Sequence, residues 1–195
     1  MWSLYNWIRD FVSEYAWFWW PSSSSKGNTI LLVGLENAGK TTLTGRLTRN
    51  CLVQPSPTYH PSSHEMRIGS TNLTVTDIGG HIQARRIWRT YMIPSTRLRF
   101  VIDASNRHWL PTARTELINI LTDDEFQSMP ILILANKIDV PTACGENELR
   151  RYLQIEEYLN GDDPRVKLNM CSIAQNEGFA DGLKWLVDRK IQSEH

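Results

Sequence analysis

Residues 30–41 read ILLVGLENAGKT, and this stretch decides the fold. Its four leading apolar residues are typical of a β-strand, and a helix-competent stretch begins near Lys40. Between them, residues 34–41 match G-x-x-x-x-G-K-[ST], a pattern that binds phosphate when a strand precedes it and a helix follows it. A chance match occurs in roughly one chain in a hundred of average composition, so an ordinary glycine turn is a poor alternative. The stretch therefore predicts an α/β domain built around a phosphate site.

The residue types of this loop suit phosphate chemistry. Its glycines let backbone N–H groups curl around a β-phosphate, and the start of the following helix favours negative charge. Lys40 is expected to reach the β- and γ-phosphate oxygens, and the Thr41 hydroxyl is expected to bind Mg2+. The predicted nucleotide-binding residues of the loop are Asn37, Ala38, Gly39, Lys40, Thr41 and Thr42.

A second motif, Asp77-Ile78-Gly79-Gly80, directly follows a predicted strand. A carboxylate at a strand end can hold Mg2+ through water, and the N–H of a flexible glycine can meet a γ-phosphate. Asp77 is therefore a predicted metal ligand, and Gly80 is predicted to sense the terminal phosphate. Taken alone, this tetrapeptide is a weak signal.

A third motif, Asn136-Lys137-Ile138-Asp139, follows the apolar run 131–134. A carboxylate at Asp139 can accept hydrogen bonds from both N1–H and the exocyclic amine of guanine. Adenine lacks that arrangement and would leave the carboxylate desolvated and unpaired. An ordinary solvated turn is disfavoured because the three motifs occur in this order. We expect guanine to be bound through Asn136, Lys137 and Asp139.

Length and composition indicate one globular domain. The chain has 195 residues, 41% of them hydrophobic, which suffices for one well-buried core. Lys plus Arg and Asp plus Glu both number 21, so the net charge of zero gives no general attraction to nucleic acid. Three scattered cysteines suit neither a disulfide framework nor a zinc site and indicate a reducing compartment. We expect a cytosolic or cytosol-facing protein with no nucleic-acid partner.

The first 25 residues differ in composition from the rest. Five of the eight tryptophans lie within residues 1–20, where charged residues interrupt any run of the roughly 20 apolar residues that a membrane crossing needs. Their spacing predicts an amphipathic helix, which Pro21 and a serine run end. Packing on the chain's own domain is one alternative, and insertion into a membrane interface is the other, which the tryptophans favour. We predict a membrane-binding helix and linker at 1–25 and the globular domain at 26–195.

Short apolar β-type runs alternate with helical patterns in the globular domain, which is typical of a parallel sheet. A hairpin fits residues 65–68 and 72–76, joined through Gly69-Ser70, so one strand pair is expected to be antiparallel. The prediction is a P-loop α/β fold, with a six-stranded, mostly parallel sheet and helices on both faces. The other predicted strands are 29–33, 98–102, 131–135 and 166–171.

The three motifs, in this order and spacing, resemble those of the Ras-like small GTPases. The residues within and around the motifs resemble the Arf/Sar branch. Residues 34–42 (GLENAGKTT), 57–61 (PTYHP) and 77–86 (DIGGHIQARR) are similar to the Sar family, the secretion-associated GTPases of coat protein complex II. Three details favour Sar over Arf. Residue 2 is Trp rather than a myristoylatable Gly, His81 stands where Arf carries glutamine, and the N-terminus is aromatic.

The resemblance implies a GTPase switch in endoplasmic reticulum (ER) to Golgi vesicle transport. A soluble GDP form would alternate with a GTP form whose N-terminal helix binds the ER membrane and recruits the inner coat. It further implies an exchange factor in that membrane, and inner coat subunits that supply an arginine finger as GTPase activator. The expected location is the cytosol and the cytosolic face of the ER at exit sites, with the Golgi as an alternative.

The resemblance also implies roles for single residues. Thr58 matches the switch threonine that joins Mg2+ and the γ-phosphate only in the GTP state. His81 stands where the family positions the attacking water, and it is the predicted catalytic residue. Ser172 and Ile173 match the last base-contacting loop. The expected metal ligands are Thr41, Thr58, Asp77 and Glu36.

The sequence departs from the family pattern at a few positions. Glu36 replaces the usual aspartate near the metal. Arg97 and Arg99 enter the fourth predicted strand where small or apolar residues are usual, and period-2 spacing puts both on one face. Because a buried unpaired arginine is costly, we expect a carboxylate partner, Asp77 or Glu116, or a strand that begins later.

Two other functions stay open at this point. One is a GTP-gated scaffold that barely hydrolyses its nucleotide, which would release no phosphate even with coat subunits present. The other is a P-loop kinase for a small metabolite, which would bind adenine and would lack the trio at 136–139.

Overall fold

The computed structural model describes residues 28–49, 58–68, 71–160 and 165–189. The helix and linker predicted at 1–25 and the hairpin turn Gly69-Ser70 lie outside these residues. The described part is a six-stranded sheet with the order β2-β3-β1-β4-β5-β6, in which only the β2–β3 pair is antiparallel. The strands are β1 Thr29–Gly34, β2 Ser62–Ile68, β3 Thr71–Asp77, β4 Arg97–Asp103, β5 Ile131–Asn136 and β6 Val166–Met170.

These strands confirm the predicted six-stranded, mostly parallel sheet and its hairpin. The hairpin strands are longer than predicted, since β2 begins three residues earlier, at Ser62 rather than 65. Conversely, β6 ends at Met170, one residue before the predicted end at 171.

Helices lie on both faces of the sheet. No helix among residues 28–49, 58–68, 71–160 and 165–189 has the length and apolar character needed to span a bilayer. The helices are α1 Lys40–Arg49, α2 Ile82–Arg85, α3 Trp88–Met92, α4 Leu110–Leu121, α5 Glu146–Leu153, α6 Glu156–Leu159 and α7 Ala180–Asp188, with 3₁₀ turns at Arg107–Trp109 and Asp124–Phe126.

The central strand β1 divides the core into two clusters. Leu31 and Val33 pack with α3, α4 and α5 on one face, whereas Ile30 and Leu32 pack with α1 and α7 on the other. All four side chains are fully buried, as expected for a parallel strand covered by helices on both faces. This explains why the strand reads as a continuous apolar run. The carboxyl ends of the parallel strands therefore open at one edge, which carries all three motifs.

Arg97 donates to backbone carbonyls at the far end of the sheet. Its strand begins at Arg97 itself, so the expectation of a later start is wrong. Nη2 of Arg97 donates to the carbonyl oxygens of Val187 at 3.2 Å and Arg189 at 3.0 Å, at the end of α7. Because the last carbonyls of a helix lack partners within it, this side chain acts as a cap supplied from the sheet.

Arg99 lacks the expected carboxylate. Its side chain is fully buried, and none of its three guanidinium nitrogens has a hydrogen-bond partner. Burial lowers the pKa of Arg99 to about 9. Asp77 is likewise without a hydrogen-bond partner, and Glu116 pairs with Arg85 instead. For Arg99 the expectation of pairing is therefore wrong, and the fold carries an uncompensated buried cation.

Candidate active site

The loop after β1 depends on glycine at its start and on a lysine at its end. Gly34 has a φ of +143°, and a Cβ there would lie 2.1 Å from the Val101 carbonyl oxygen, so only glycine fits this exit from the sheet. Lys40 begins α1, and its Nζ donates to the Leu35 carbonyl at 2.8 Å across the loop. The lysine is almost fully buried, and this burial lowers its pKa to about 8. The predicted phosphate lysine is thus a preset cation inside the loop.

Three of the four predicted metal ligands meet beside this loop. The Thr41 and Thr58 hydroxyl oxygens lie 2.8 Å apart. Asp77 is fully buried, and neither of its carboxylate oxygens has a hydrogen-bond partner. Burial raises the pKa of Asp77, while the neighbouring Thr41 hydroxyl and Lys40 ammonium oppose this rise. An orphaned buried carboxylate beside two hydroxyls is a donor set that suits Mg2+, a hard cation that prefers oxygen.

Glu36 forms no hydrogen bond with these three residues within the part of the chain that the structure describes. Its exposed side chain lines a shallow cleft with Asp103, Asn106 and Trp109. Its role as a metal ligand stays a prediction.

The segment after β3 packs directly on the phosphate loop. A Cβ at Gly80 would lie 2.3–2.4 Å from backbone atoms of residues 34–36, so only glycine permits this approach. A Cβ at Gly79 would lie 2.4 Å from the carbonyl oxygen of Thr58. The motif at 77–80, Thr58 and the phosphate loop therefore converge.

His81 caps α2 and leaves one ring nitrogen unused. Its Nδ1 accepts a hydrogen bond from the Ala84 backbone N–H at 3.0 Å, which assigns the proton of a neutral ring to Nε2. Nε2 is buried and has no partner, and it lies 3.3 Å from where a Gly79 Cβ would be. The rings of Tyr59 and His81 are 6.0 Å apart between centroids. An orphaned donor beside the convergence point is suited to binding a water molecule.

Asn136 joins the base side of the site to the phosphate side. Its Nδ2 donates to the Ala38 carbonyl at 2.9 Å, and its Oδ1 accepts from the Ile173 backbone N–H at 3.0 Å. The side chain is buried, so these two hydrogen bonds hold three loops in register. The structure thus brings together three predicted binding residues from distant parts of the sequence.

The next two residues of the motif differ in their surroundings. Lys137 has a φ of +69°, and its Nζ lies 2.7 Å from the Asp103 carboxylate. Asp139 is exposed, and its carboxylate forms no hydrogen bond or ion pair with any other described residue. An unpaired carboxylate at this position is available to a base.

The loop after β6 lies beside Asn136, but its backbone donors are occupied. The Ser172 N–H donates to the Glu177 carbonyl at 3.0 Å, and the Ile173 N–H is bound by Asn136. The Ser172 hydroxyl oxygen accepts from the Gln175 N–H and retains its own hydrogen for donation. Guanine contact through Ser172 and Ile173 stays a prediction.

Three residues near the site received no role from sequence. Asp103 ends β4 beside the end of β5, so the rule that ligands bind at the carboxyl edge of such sheets could have identified it. Arg85 donates from Nε to the Gly80 carbonyl at 2.9 Å, and Trp88 donates from Nε1 to the Gly79 carbonyl at 3.1 Å. No sequence signal marks these two contacts, because they depend on the path of the intervening turn.

Comparison with known proteins agrees with this geometry. Residues 20–190 match the ADP-ribosylation factor family. The chain is 33% identical over 169 residues to the Small COPII coat GTPase SAR1 of Giardia intestinalis, covering 83% of this chain and 88% of the relative. It is 29% identical over 170 residues to ADP-ribosylation factor-like protein 5A of Homo sapiens, covering 87% and 93%.

A solved structure supports the fold. The Arl6 BBS3 small GTPase from Trypanosoma brucei with bound nucleotide analogue GppNp has a TM-score of 0.72 at 26% identity, covering 82% of this chain and 94% of that chain. The predicted Ras-like fold and GTP hydrolase activity are confirmed by these relatives, whose family binds GTP and GDP with Mg2+. Sar and ARF-like proteins are similar to this chain at comparable identity. The comparisons therefore show the family that includes both groups. The chain belongs to the ADP-ribosylation factor family of small GTPases.

Proposed function

We propose that this chain is a Sar-type GTPase of coat protein complex II. Bound GTP would release the N-terminal helix onto the ER membrane and recruit the inner coat, and slow hydrolysis would reverse both steps. The observation that carries the proposal is His81, whose orphaned Nε2 lies at the convergence of Thr58, Gly79 and the phosphate loop. Similarity to a small COPII coat GTPase from Giardia intestinalis supports it.

Nucleotide binding divides between the two sides of the site. Lys40, which the Leu35 carbonyl already holds across the loop, and backbone N–H groups of residues 37–42 would bind the phosphates. Asp139 would pair with N1–H and the amine of guanine, and Lys137 would be kept in place by Asp103. Asn136 would transmit any shift of the base loop to Ala38 and the phosphates.

The metal would be held by the two hydroxyls and the carboxylate that converge beside the loop. Thr41, Thr58 and Asp77 have the oxygen donors, and the carboxylate has no other partner. When bound, Mg2+ would neutralise charge on the phosphate oxygens. Thr58 would favour the GTP state, because only that state offers it both Mg2+ and the γ-phosphate as partners.

His81 would orient the attacking water rather than take its proton. Because Nδ1 accepts the Ala84 N–H, Nε2 carries hydrogen and can only donate. Hydrolysis by such a residue depends on positioning, so intrinsic turnover should be slow and an activator is needed. The inner coat subunits are the proposed activator, and an ER membrane protein is the proposed exchange factor.

Membrane attachment is assigned to residues 1–20. Their tryptophan content suits insertion into the interface, and the chain's zero net charge offers no electrostatic alternative. The protein would therefore divide between the cytosol and the cytosolic face of ER exit sites, and vesicles could carry it towards the Golgi.

The test combines hydrolysis with membrane binding. Phosphate release from GTP is measured with and without inner coat subunits of coat protein complex II. Flotation with liposomes compares the full chain and a deletion of residues 1–20, each loaded with GDP or GppNHp. We expect coat-stimulated phosphate release, and flotation only of the GppNHp-loaded full chain.

Three outcomes would redirect the assignment. Hydrolysis that the coat subunits do not stimulate would favour an ARF-like role, in line with the ARF-like relatives. GTP binding with no phosphate release under any condition would favour the GTP-gated scaffold. Equal flotation of the full chain and of the deletion would remove the membrane role of residues 1–20.

A further inference from the structure

The peptide groups on both sides of Gly80 are held by side chains. The Gly79 carbonyl accepts the indole N–H of Trp88 at 3.1 Å, and the Gly80 carbonyl accepts Nε of Arg85 at 2.9 Å. Neither donor belongs to the phosphate loop, to the motif at 136–139 or to the loop after β6. Both lie in the segment that follows the 77–80 motif.

The first of these bonds determines where the Gly80 N–H points. In a trans peptide the N–H of one residue is antiparallel to the carbonyl of the residue before it. By holding the Gly79 carbonyl, Trp88 therefore directs the Gly80 N–H to the opposite side. Gly80 itself packs against residues 34–36, so this N–H is fixed beside the phosphate loop.

Trp88 is a rigid donor. Its side chain is 3% exposed, and its ring meets that of Phe100 edge-to-face at 6.1 Å between centroids. Phe100 lies in β4, at the centre of the sheet. Packing of Trp88 in the core of the domain thus fixes the direction of the Gly80 N–H.

The second bond connects Gly80 to α4. Arg85 donates from Nη1 to the Glu116 carboxylate at 3.3 Å while its Nε holds the Gly80 carbonyl. Both side chains are mostly buried, with 13% and 26% exposure, so screening by solvent is reduced. The planar guanidinium can bridge two acceptors in this way, whereas a lysine ammonium lacks that fork.

We propose that Trp88 and Arg85 are positioning residues for the terminal phosphate. They fix the two peptides that flank Gly80, with Glu116 as the anchor of Arg85, and so present the Gly80 N–H to the γ-phosphate. This inference rests on the proposed function at one point, the contact between Gly80 and the γ-phosphate. We call the two hydrogen bonds from Trp88 and Arg85 the clamp. GDP has no γ-phosphate, so the clamp should favour GTP over GDP although neither side chain contacts the nucleotide.

The test is isothermal titration calorimetry with GDP and with GppNHp, both in Mg2+ buffer. Trp88→Phe keeps the ring but removes the N–H, and Arg85→Met keeps the alkyl chain but removes both donors. We expect GppNHp affinity to fall about tenfold, equivalent to about 1.4 kcal/mol, with GDP affinity unchanged within about twofold. Glu116→Gln should give a smaller fall of GppNHp affinity in the same direction, since its oxygen still accepts.

Arg89→Met is the matched control. Arg89 lies one position after Trp88, and its exposed guanidinium pairs with Asp123 and Glu125 on the surface. Its loss should leave the GppNHp to GDP affinity ratio unchanged, and a shift as large as that of Arg85→Met would overturn the proposal.

Two results separate this inference from the proposed function. If the wild type binds both nucleotides but Trp88→Phe and Arg85→Met leave the ratio unchanged, or weaken both nucleotides equally, the positioning role is wrong. If the wild type binds neither nucleotide, the proposed function itself fails and the inference falls with it.

Discussion

Asp77 and Arg99 lie in one register row of the sheet, on either side of Leu32, and do not pair with each other. Two strand spacings put their Cα atoms about 10 Å apart, with the Leu32 side chain between them on the same face. Both are fully buried, and none of their charged atoms has a hydrogen-bond partner. The proposed role of Asp77 as a ligand for Mg2+ would account for the carboxylate. The guanidinium has no such role in the site.

Replacing Arg99 by methionine should stabilise the protein. The change removes an uncompensated buried charge and keeps an apolar side chain of similar length, which typically gains about 1–4 kcal/mol. For a domain of this size, each kcal/mol raises Tm by roughly 2–4 °C. Thermal unfolding measures the shift, and GDP affinity should not change.

The matched variant is Arg97→Met. It loses the bonds to the carbonyls of Val187 and Arg189, so Tm should fall. Equal destabilisation by both variants would show that Arg99 has a partner after all.

Nucleotide binding should take up a proton above about pH 8. Burial lowers the pKa of Lys40 to about 8 in the free protein, and phosphate anions would raise it again. Affinity for GDP should therefore fall as pH rises through 8, by at most tenfold per pH unit. Calorimetry at pH 8.5 in two buffers of different ionisation enthalpy measures the uptake.

The same lysine affects the stability of the nucleotide-free protein. The unfolded chain keeps its lysine protonated up to its ordinary pKa of 10.5, so this contribution rises as pH increases from about 8 to 10.5. Lys40→Arg is the control, because a guanidinium stays charged throughout. An equal proton uptake by Lys40→Arg would assign the effect to another group.

Asp77→Asn should remove the dependence of GDP binding on Mg2+. The wild-type carboxylate has no hydrogen-bond partner to lose, so the Tm of the nucleotide-free variant should not fall. Affinity for GDP in Mg2+ should drop by about 10–100-fold, while affinity in EDTA stays the same. Titrations in the two buffers measure this difference, and an undiminished Mg2+ effect in the variant would rule out Asp77 as a ligand.

Asp139→Asn should change the preferred base from guanine to xanthine. The guanine amine is a donor that matches a carboxylate, whereas xanthine carries a carbonyl there that an asparagine amide can bind. We expect GDP affinity to fall on the order of 10²-fold and xanthosine diphosphate binding to appear. Competition titrations with both nucleotides check this, with Asp123→Asn, whose carboxylate pairs with Arg89, as control. Unchanged preference for guanine would mean that the exposed carboxylate does not contact the base.

His81→Gly should keep the protein in its GTP form. It removes the Nε2 donor, and loss of water positioning is expected to slow hydrolysis on the order of 10²-fold. His81→Gln restores an N–H donor and should recover part of the rate, which separates positioning from proton abstraction. Single-turnover phosphate release with coat subunits is the measurement. Unchanged release from His81→Gly would remove the assignment.

Local patterns explain why so much could be predicted. The motif at 34–41 predicts its own backbone, because glycine conformation and a lysine at the helix start act over a few residues. Period-2 and apolar runs located β1, β4 and β5, because strands that are buried on both faces need apolar residues at successive positions. The proposed role of Asp139 follows from the chemistry of a carboxylate after a strand end, and the exposed, unpaired side chain is compatible with it.

By itself, the sequence determined the strand–loop–helix unit, the mostly parallel sheet and which residue types are proposed to meet the nucleotide. Tertiary structure alone decided the partners of Arg97, the isolation of Arg99 and the clamp of Trp88 and Arg85 on the 77–80 motif. The physical reason is that such contacts join residues through strand register and the path of a turn. Those are set by packing of the whole core, whereas the motifs act through local backbone geometry.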